Sequence, residues 1–259
     1  MMRDSRKKYW VLWVFLLATF FSSFQQKKIE NQNSLSAIKL TFANNVNGRK
    51  IIFNDSTYTN SFGENFTITK LRYYVTSISL PGGSQNVKEK NSYHLIDESK
   101  AESQVIKFLI PEGDYGAIQF LLGVDSLHNV SGAQTDALDP ANDMFWTWNT
   151  GYVMAKMEGH SSSSKQVNNK FEFHIGGFSG PFSVLQWVLL DFPGETHHFV
   201  AGKNYEITIN ADINNWWQHP HDIKISEHPV ITSPGKFAKD ISENYAKMFR
   251  IEKITSGKD

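Results

Sequence analysis

Short stretches in which apolar and polar residues alternate recur along most of this chain. In the first of them, Ile38, Leu40 and Phe42 would point to one side of a strand and the residues between them to the other. Asn47-Gly48 follows as a turn signal, because both residues tolerate a positive φ. Further β-rich stretches cover residues 66–80, 105–110, 115–123, 151–157, 171–175, 184–190 and 205–211. The pattern predicts a mostly β protein.

Helical periodicity is confined to the C-terminal end. Ser233 could cap a helix that has Pro234 in its first turn. The apolar residues that then share one face at helical spacing are Phe237, Ile241, Tyr245 and Met248. Because no linker-like composition divides the chain, we expect one domain over residues 37–254, a β-sandwich or barrel with a short C-terminal helix.

The N-terminus resembles an export signal. A basic cluster at residues 3–8 precedes an apolar run at 9–18, which continues loosely to residue 24. Residues 1–24 are therefore predicted to be a signal peptide, with residues 25–36 as a polar tether and the protein outside the cytoplasm, for example in the periplasm. Bulky Phe20 and Phe21 make a poor cleavage site, so an uncleaved anchor is the alternative, and only then is a membrane partner expected.

The composition and the absence of common catalytic motifs exclude several classes of function. The chain has 26 basic and 26 acidic residues, so nothing suggests a nucleic-acid surface. It has no cysteine, which excludes disulfides and thiolate ligands. Residues 177–181 resemble a nucleophile elbow, but Pro181 stands where the last glycine should be. We expect a binding protein rather than an enzyme.

Histidines and tryptophans are the candidate functional residues. His174 alternates with Phe173 in a predicted strand and so points away from the apolar face. His219 and His221 follow Trp217, and neutral imidazoles suit copper or zinc. Trp146 and Trp148 follow an oxygen-rich loop that begins at residue 136. The alternatives are surface histidines on loops and tryptophans that fill the core.

The sequence resembles the MbnP-like family, which is named for a periplasmic protein associated with methanobactin. The most distinctive stretch is Met-Phe-Trp-Thr-Trp-Asn-Thr-Gly-Tyr at residues 144–152, which is followed by Phe-His-Ile-Gly-Gly at residues 173–177. The other stretches that carry the resemblance are residues 40–42, 47–48, 58–63, 71–78, 110–115, 122–125, 137–140, 156–159 and 243–249.

The resemblance implies an extracytoplasmic β-rich protein that binds copper as Cu(I) beside histidines and a tryptophan oxidised to kynurenine. The oxidant it implies is a di-haem peroxidase partner of the MauG type. Carried over to this chain, the ligand candidates are His174, His219 and His221. The candidates for oxidation are Trp146, Trp148 and Trp217, the last because Trp217-Gln218-His219 places an indole and an imidazole two residues apart.

The sequence also departs from the family. Asn44-Asn45 stands near the first strand, where many relatives are expected to have a histidine, so a site that uses that histidine would be altered here. The alternative function is a module that binds a peptide or a glycan on the same β scaffold, since exposed aromatic residues would serve that role equally well.

Overall fold

The computed structural model describes residues 35–82, 86–146 and 151–257. The predicted signal segment and nearly all of the predicted tether lie outside these residues. The first strand begins at Leu35, two residues before the predicted start of the domain. None of the helices in the described ranges has the length and apolar character needed to cross a membrane.

The described strands are β1 (Leu35–Val46), β2 (Arg49–Lys50), β3 (Tyr58–Thr59), β4 (Asn65–Leu80), β5 (Val87–Lys88), β6 (Tyr93–Asp97), β7 (Val105–Pro111), β8 (Gly113–Tyr115), β9 (Ala117–Leu122), β10 (Phe145–Trp146), β11 (Gly151–His160), β12 (Lys170–Gly176), β13 (Gln186–Asp191), β14 (His197–Phe199), β15 (Asn204–Asp212), β16 (Val230–Ile231) and β17 (Phe249–Ser256). Among the residues that the structure describes, the α-helices are α1 (Ser126–Asn129) and α2 (Lys236–Tyr245). Single-turn 3-10 helices lie at Ala101–Gln104, Asp136–Leu138, Pro140–Asn142, Val167–Asn169 and Ile213–Trp216.

Two main sheets contain most of the strands. In the smaller sheet the order is β17-β15-β1-β2, and β7 also pairs with β1. Strand β1 runs parallel to β15 and antiparallel to β7 and β2. The larger sheet has the order β13-β9-β4-β11-β12-β16, with β10 on β11 and with β3, β5 and β6 on β4. Strands β8 and β14 form a separate pair.

Aromatic side chains hold the sheets together. Phe42 on β1 has its ring centroid 6.3 Å from that of Tyr73 on β4 and 5.8 Å from that of Phe120 on β9, both in edge contacts. Phe249 on β17 packs against all three rings. Such pairs stabilise a core beyond the burial of their area. The predicted mostly β fold class is confirmed.

Helix α2 differs in detail from its prediction. It begins at Lys236 after Gly235, which takes the N-cap position, rather than near Ser233. Ile241 and Tyr245 are buried as expected, but Phe237 is half-exposed. Strand β17 follows the helix and returns the chain to the smaller sheet, so α2 is near the C-terminus without being the last element.

Candidate metal-binding sites

Strand β12 separates two groups of candidate residues. Phe171, Phe173 and Ile175 are fully buried on its inner face. His174 alternates with them and therefore lies on the outer face, as the sequence predicts. Its Nε2 atom is 2.9 Å from Oε1 of Glu158 on the neighbouring strand β11. This hydrogen bond is the main reason that the pKa of Glu158 is lowered to about 2.

Charged side chains surround the Glu158–His174 pair. Lys70 Nζ lies 3.4 Å from Glu158 Oε1 and 3.1 Å from Asp143 Oδ2, and Lys156 Nζ lies 3.0 Å from the same Asp143 oxygen. The side chain of Lys156 is only 4% exposed, and burial lowers its pKa. These ion pairs attach the loop that carries Asp143 to the outer face of the sheet.

A second ion pair completes this outer-face network. Arg72 Nε lies 2.9 Å from Asp97 Oδ2, and Arg72 also donates a hydrogen bond to the Asn142 carbonyl oxygen. The three cations Arg72, Lys70 and Lys156 are thus balanced by the carboxylates of Asp97, Asp143 and Glu158.

Trp146 lies over the same outer face. A Cβ atom placed on Gly176 would be 2.4 Å from Cζ3 and 2.6 Å from Cη2 of the Trp146 ring. Gly176 is two residues from His174 along β12, so the two positions share a face. Only glycine lets the indole approach the strand so closely. The structure therefore brings Trp146 and His174 to neighbouring positions on one face of the sheet.

Trp217 lies on the opposite side of β12. Its ring centroid is 5.9 Å from that of Phe171, 5.7 Å from that of Phe173 and 4.9 Å from that of Phe66. The side chain is fully buried, and its Nε1 atom has no hydrogen-bond partner among the described residues. Trp217 therefore belongs to the inner aromatic core, with the sheet between it and His174. Trp148 lies outside the described residues.

His221 belongs to a different group of side chains. Its Nε2 atom lies 2.6 Å from Oε2 of Glu243 and 3.8 Å from Oδ1 of Asp240, both on helix α2. One potential ligand atom from each of the three residues lies within 4.8 Å of the others. His219 is exposed on the preceding turn. The structure therefore divides the candidate histidines between the outer face of β12 and the loop beside α2.

Asn44 has a structural role at the position where a histidine was expected. Its Nδ2 atom donates to Glu98 Oε2 at 2.8 Å, and its Oδ1 atom accepts from the Tyr73 hydroxyl at 2.8 Å. Burial raises the pKa of Glu98. The side-chain amide of Asn44 is thus used in a buried hydrogen-bond network within the core.

Comparison with known proteins identifies the family. The family model for MbnP matches residues 35–233, well over half of the chain. The chain belongs to the MbnP family. The solved structure of MbnP from Methylosinus trichosporium resembles the fold with a TM-score of 0.53 at 13% sequence identity, covering 86% of this chain and 99% of that one. None of the curated proteins matches.

The extent of the MbnP match separates the two groups of residues. It includes Trp146, Glu158 and His174, and also His221, but it ends before Asp240 and Glu243.

Sequence analysis missed Glu158 and both helix carboxylates as partners of the histidines. Glu158 lies in residues 156–159, one of the stretches that carry the family resemblance, and one residue beyond the predicted strand 151–157, but nothing in the sequence indicated that it contacts His174. For the helix, the spacing of Asp240 and Glu243 places both carboxylates near one face.

Proposed function

We propose that this member of the MbnP family is an extracytoplasmic copper-binding protein that holds Cu(I) on the outer face of β12. The observation that carries the proposal is the placement of Trp146 and His174 at neighbouring positions on that face. Both residues belong to the sequence stretches that distinguish the family, and both lie within the matched range.

The contact with Glu158 suits His174 to bind a metal ion. Histidines that bind metals usually donate their second ring N–H to a carboxylate or carbonyl, which fixes the tautomer and the orientation of the ring. Glu158 contacts Nε2 of His174 and stays ionised because its pKa is low. With a proton on Nε2, Nδ1 has the free lone pair and is the atom that would bind copper.

The charges of the outer-face network favour a monovalent ion. Because the cations and carboxylates are balanced, an added ion is not attracted by a net negative charge. The electrostatic cost of adding an ion there rises with its charge. Cu(I) also accepts few ligands and tolerates nitrogen donors without carboxylates, so His174 with a second nitrogen donor meets its needs.

Trp146 is the described tryptophan best placed to supply that second donor. An indole nitrogen has no free lone pair, whereas kynurenine carries an aniline nitrogen and a ketone. Overall one oxygen atom is gained and the indole C2 carbon leaves as formate, a four-electron oxidation that consumes two molecules of hydrogen peroxide, and we propose that a di-haem peroxidase partner of the MauG type carries it out. Trp217 is the weaker candidate, because a kynurenine there would meet the rings of Phe171 and Phe173 rather than His174.

Intact mass and metal content of the chain purified from its native host test the proposal. The expected result is one copper per chain and a mass that matches the conversion of a single tryptophan to kynurenine. Peptide mapping should locate this modification at residue 146. An unmodified chain that takes up no Cu(I) when the ion is offered would overturn the proposal. If copper is bound to an unmodified chain, copper binding stands, and only the proposed kynurenine and the proposed peroxidase partner are wrong.

A groove supports the second candidate function, binding of a peptide or a glycan. Strand β13 is an edge strand of the larger sheet, and the side chain of Trp187 on it is 58% exposed. A groove of about 440 Å³ lies beside this strand, lined among others by Trp187, Leu189, Pro220, Lys247 and Phe249. Exposed aromatic side chains and an unpaired strand edge are both features of ligand-binding surfaces.

Binding assays with peptide and oligosaccharide arrays test this second function. A ligand whose affinity falls at least about tenfold in Trp187→Ala but not in His174→Ala would place its binding in the groove. Unchanged affinity for the ligand in Trp187→Ala would contradict binding in the groove. The two candidate functions are independent, because no residue of the groove belongs to the outer-face network.

A further inference from the structure

The loop after the 3-10 helix Ile213–Trp216 meets helix α2 at a group of three potential metal ligands. His221 offers Nε2, Asp240 offers Oδ1 and Glu243 offers Oε2. The two acids are three residues apart on the helix, which brings both carboxylates to the side that faces the loop. Side-chain exposure is 10% for Asp240 and 33% for His221 and Glu243, so the group is partly open to solvent.

The position of His221 is fixed by the helix itself. Asn244, which is fully buried, accepts a hydrogen bond from the His221 backbone N–H at 2.9 Å. Its Nδ2 atom donates to the His221 carbonyl oxygen at 2.7 Å and to the Trp216 carbonyl oxygen at 3.1 Å. The same face of α2 that supplies the carboxylates therefore also holds the histidine, which limits the reorganisation needed for an ion to bind.

Each carboxylate has one oxygen directed at His221 and the other at a lysine. Oδ2 of Asp240 pairs with Lys236 and Oε1 of Glu243 lies 3.8 Å from Lys239, whereas Oδ1 and Oε2 face the imidazole. The lysine side chains are 67% and 38% exposed, so both can extend into solvent. An ion could therefore take the inner oxygens without breaking a buried ion pair.

The donor set determines the class of ion. One imidazole and two carboxylates provide nitrogen and hard oxygen donors with a combined charge of about −2, which suits a divalent transition ion and not Cu(I). Zn²⁺ binds histidine and carboxylates at about 2.0–2.2 Å and accepts three protein ligands with an open fourth position. Glu243 and Pro220 also line the groove beside β13, so such an open position would be accessible to solvent.

From this geometry we infer a second metal site, formed by His221, Asp240 and Glu243, that binds a divalent first-row transition ion such as Zn²⁺ or Cu²⁺. The site is separate from the proposed Cu(I) site, since the two share no residue. It also lies partly beyond the range matched by the MbnP family model, which ends at residue 233. The ion joins helix α2 to the loop that contains His221.

Calorimetric titration of the whole chain with Zn²⁺, and electron paramagnetic resonance with Cu²⁺, test the inference. We expect one divalent ion per chain, and we expect affinity to fall at least about tenfold in the isosteric double variant Asp240→Asn/Glu243→Gln. His228→Ala is the matched control, because His228 stacks on Phe237 of the same helix but lies outside the ligand group, and its affinity should equal that of the wild type.

Two outcomes would overturn the inference. One is a wild-type chain that binds neither ion, and the other is a folded double variant that binds Zn²⁺ as tightly as the wild type. If circular dichroism shows that the double variant is unfolded, His221→Gln replaces it, because the hydrogen bonds from Asn244 go to the backbone of residue 221. Running the titrations in His174→Ala as well keeps this test separate from the Cu(I) proposal, since Zn²⁺ binding should be unchanged there.

Discussion

Asn244 holds the backbone of His221 at both ends. Its Oδ1 atom accepts from the N–H of that residue and its Nδ2 atom donates to the carbonyl oxygen, at 2.9 Å and 2.7 Å. A single buried amide thus satisfies two polar groups of a loop that has little regular structure. It also sets the distance between the imidazole and the acids of α2.

Replacing this amide should loosen both the fold and the inferred divalent site. Asn244→Ala leaves buried carbonyl and N–H groups without partners, so we expect the free energy of unfolding to fall by about 2–4 kcal/mol. Zn²⁺ affinity should fall with it, although every ligand is retained. Urea denaturation measures the first effect. Asn204→Ala, at an exposed position at the start of β15, is the control and should have little effect on either quantity.

Removing the two lysines beside the divalent site should strengthen metal binding. Lys236 and Lys239 lie beside the outer oxygens of Asp240 and Glu243 and add positive charge close to the ion. The double variant Lys236→Gln/Lys239→Gln should therefore bind Zn²⁺ about threefold or more tightly than the wild type at low salt, with a smaller gain at high salt. Weaker binding of Zn²⁺ in the variant would contradict this repulsion between the lysines and the ion.

The contact between Trp146 and Gly176 should be intolerant of a side chain. Gly176→Ala places a methyl group within 2.4 Å of the indole ring, so Trp146 or the strand must move. We expect a loss of about 1–3 kcal/mol in unfolding free energy and weaker Cu(I) binding. Gly113→Ala is the control, because its added Cβ would lie 3.6 Å from the nearest atom. Equal stability of the two variants would show that Trp146 does not lie against Gly176.

Much of the fold could be predicted from the sequence because strand alternation is strong where one face is buried. The predicted stretch 66–80 corresponds closely to β4 (Asn65–Leu80). Strand β17 was not predicted, because most of its residues are exposed or half-exposed and its apolar alternation is correspondingly weak. Helix α2 begins later than predicted because the Gly235 backbone, rather than a Ser233 cap, starts it.

Of the candidate copper site, only the features that depend on local strand geometry could be predicted from the sequence. Alternation alone gives the outward direction of His174. Its contact with Glu158 depends on the register that places Lys156 opposite His174 and Glu158 opposite Glu172, which no local pattern specifies. The two-residue spacing of Trp217 and His219 made both of them candidates for one site, but the chain turns there and buries Trp217 in the core while His219 is exposed.

The Glu158–His174 pair predicts a specific loss of stability in acid. Because the folded pKa of Glu158, about 2, lies below its usual 4.5, the ionised carboxylate contributes stability that is fully present above pH 4.5 and is lost as the pH falls towards 2. For a side chain that is 18% exposed, the contribution is at most about 3 kcal/mol.

Thermal denaturation between pH 7 and pH 2 measures this contribution as the difference between wild type and Glu158→Gln. The difference should be largest near neutral pH and should shrink below pH 4.5. Glu206→Gln is the control, because Glu206 pairs with Lys39 at an exposed position and should contribute little at any pH. A difference that stays constant across the range would mean that the Glu158 carboxylate does not stabilise the fold through its charge.

An anaerobic equilibrium titration with Cu(I), against a competing chelator of known affinity, tests copper binding at His174 most directly. The comparison is between the wild type purified from its native host, His174→Ala and the control His160→Ala, whose histidine lies at the exposed end of β11. We predict one tightly bound Cu(I) in the wild type and in His160→Ala, and a loss of at least about 100-fold in affinity in His174→Ala. Equal Cu(I) affinity in all three chains, or none in the wild type, would contradict the assignment of copper to the outer face of β12.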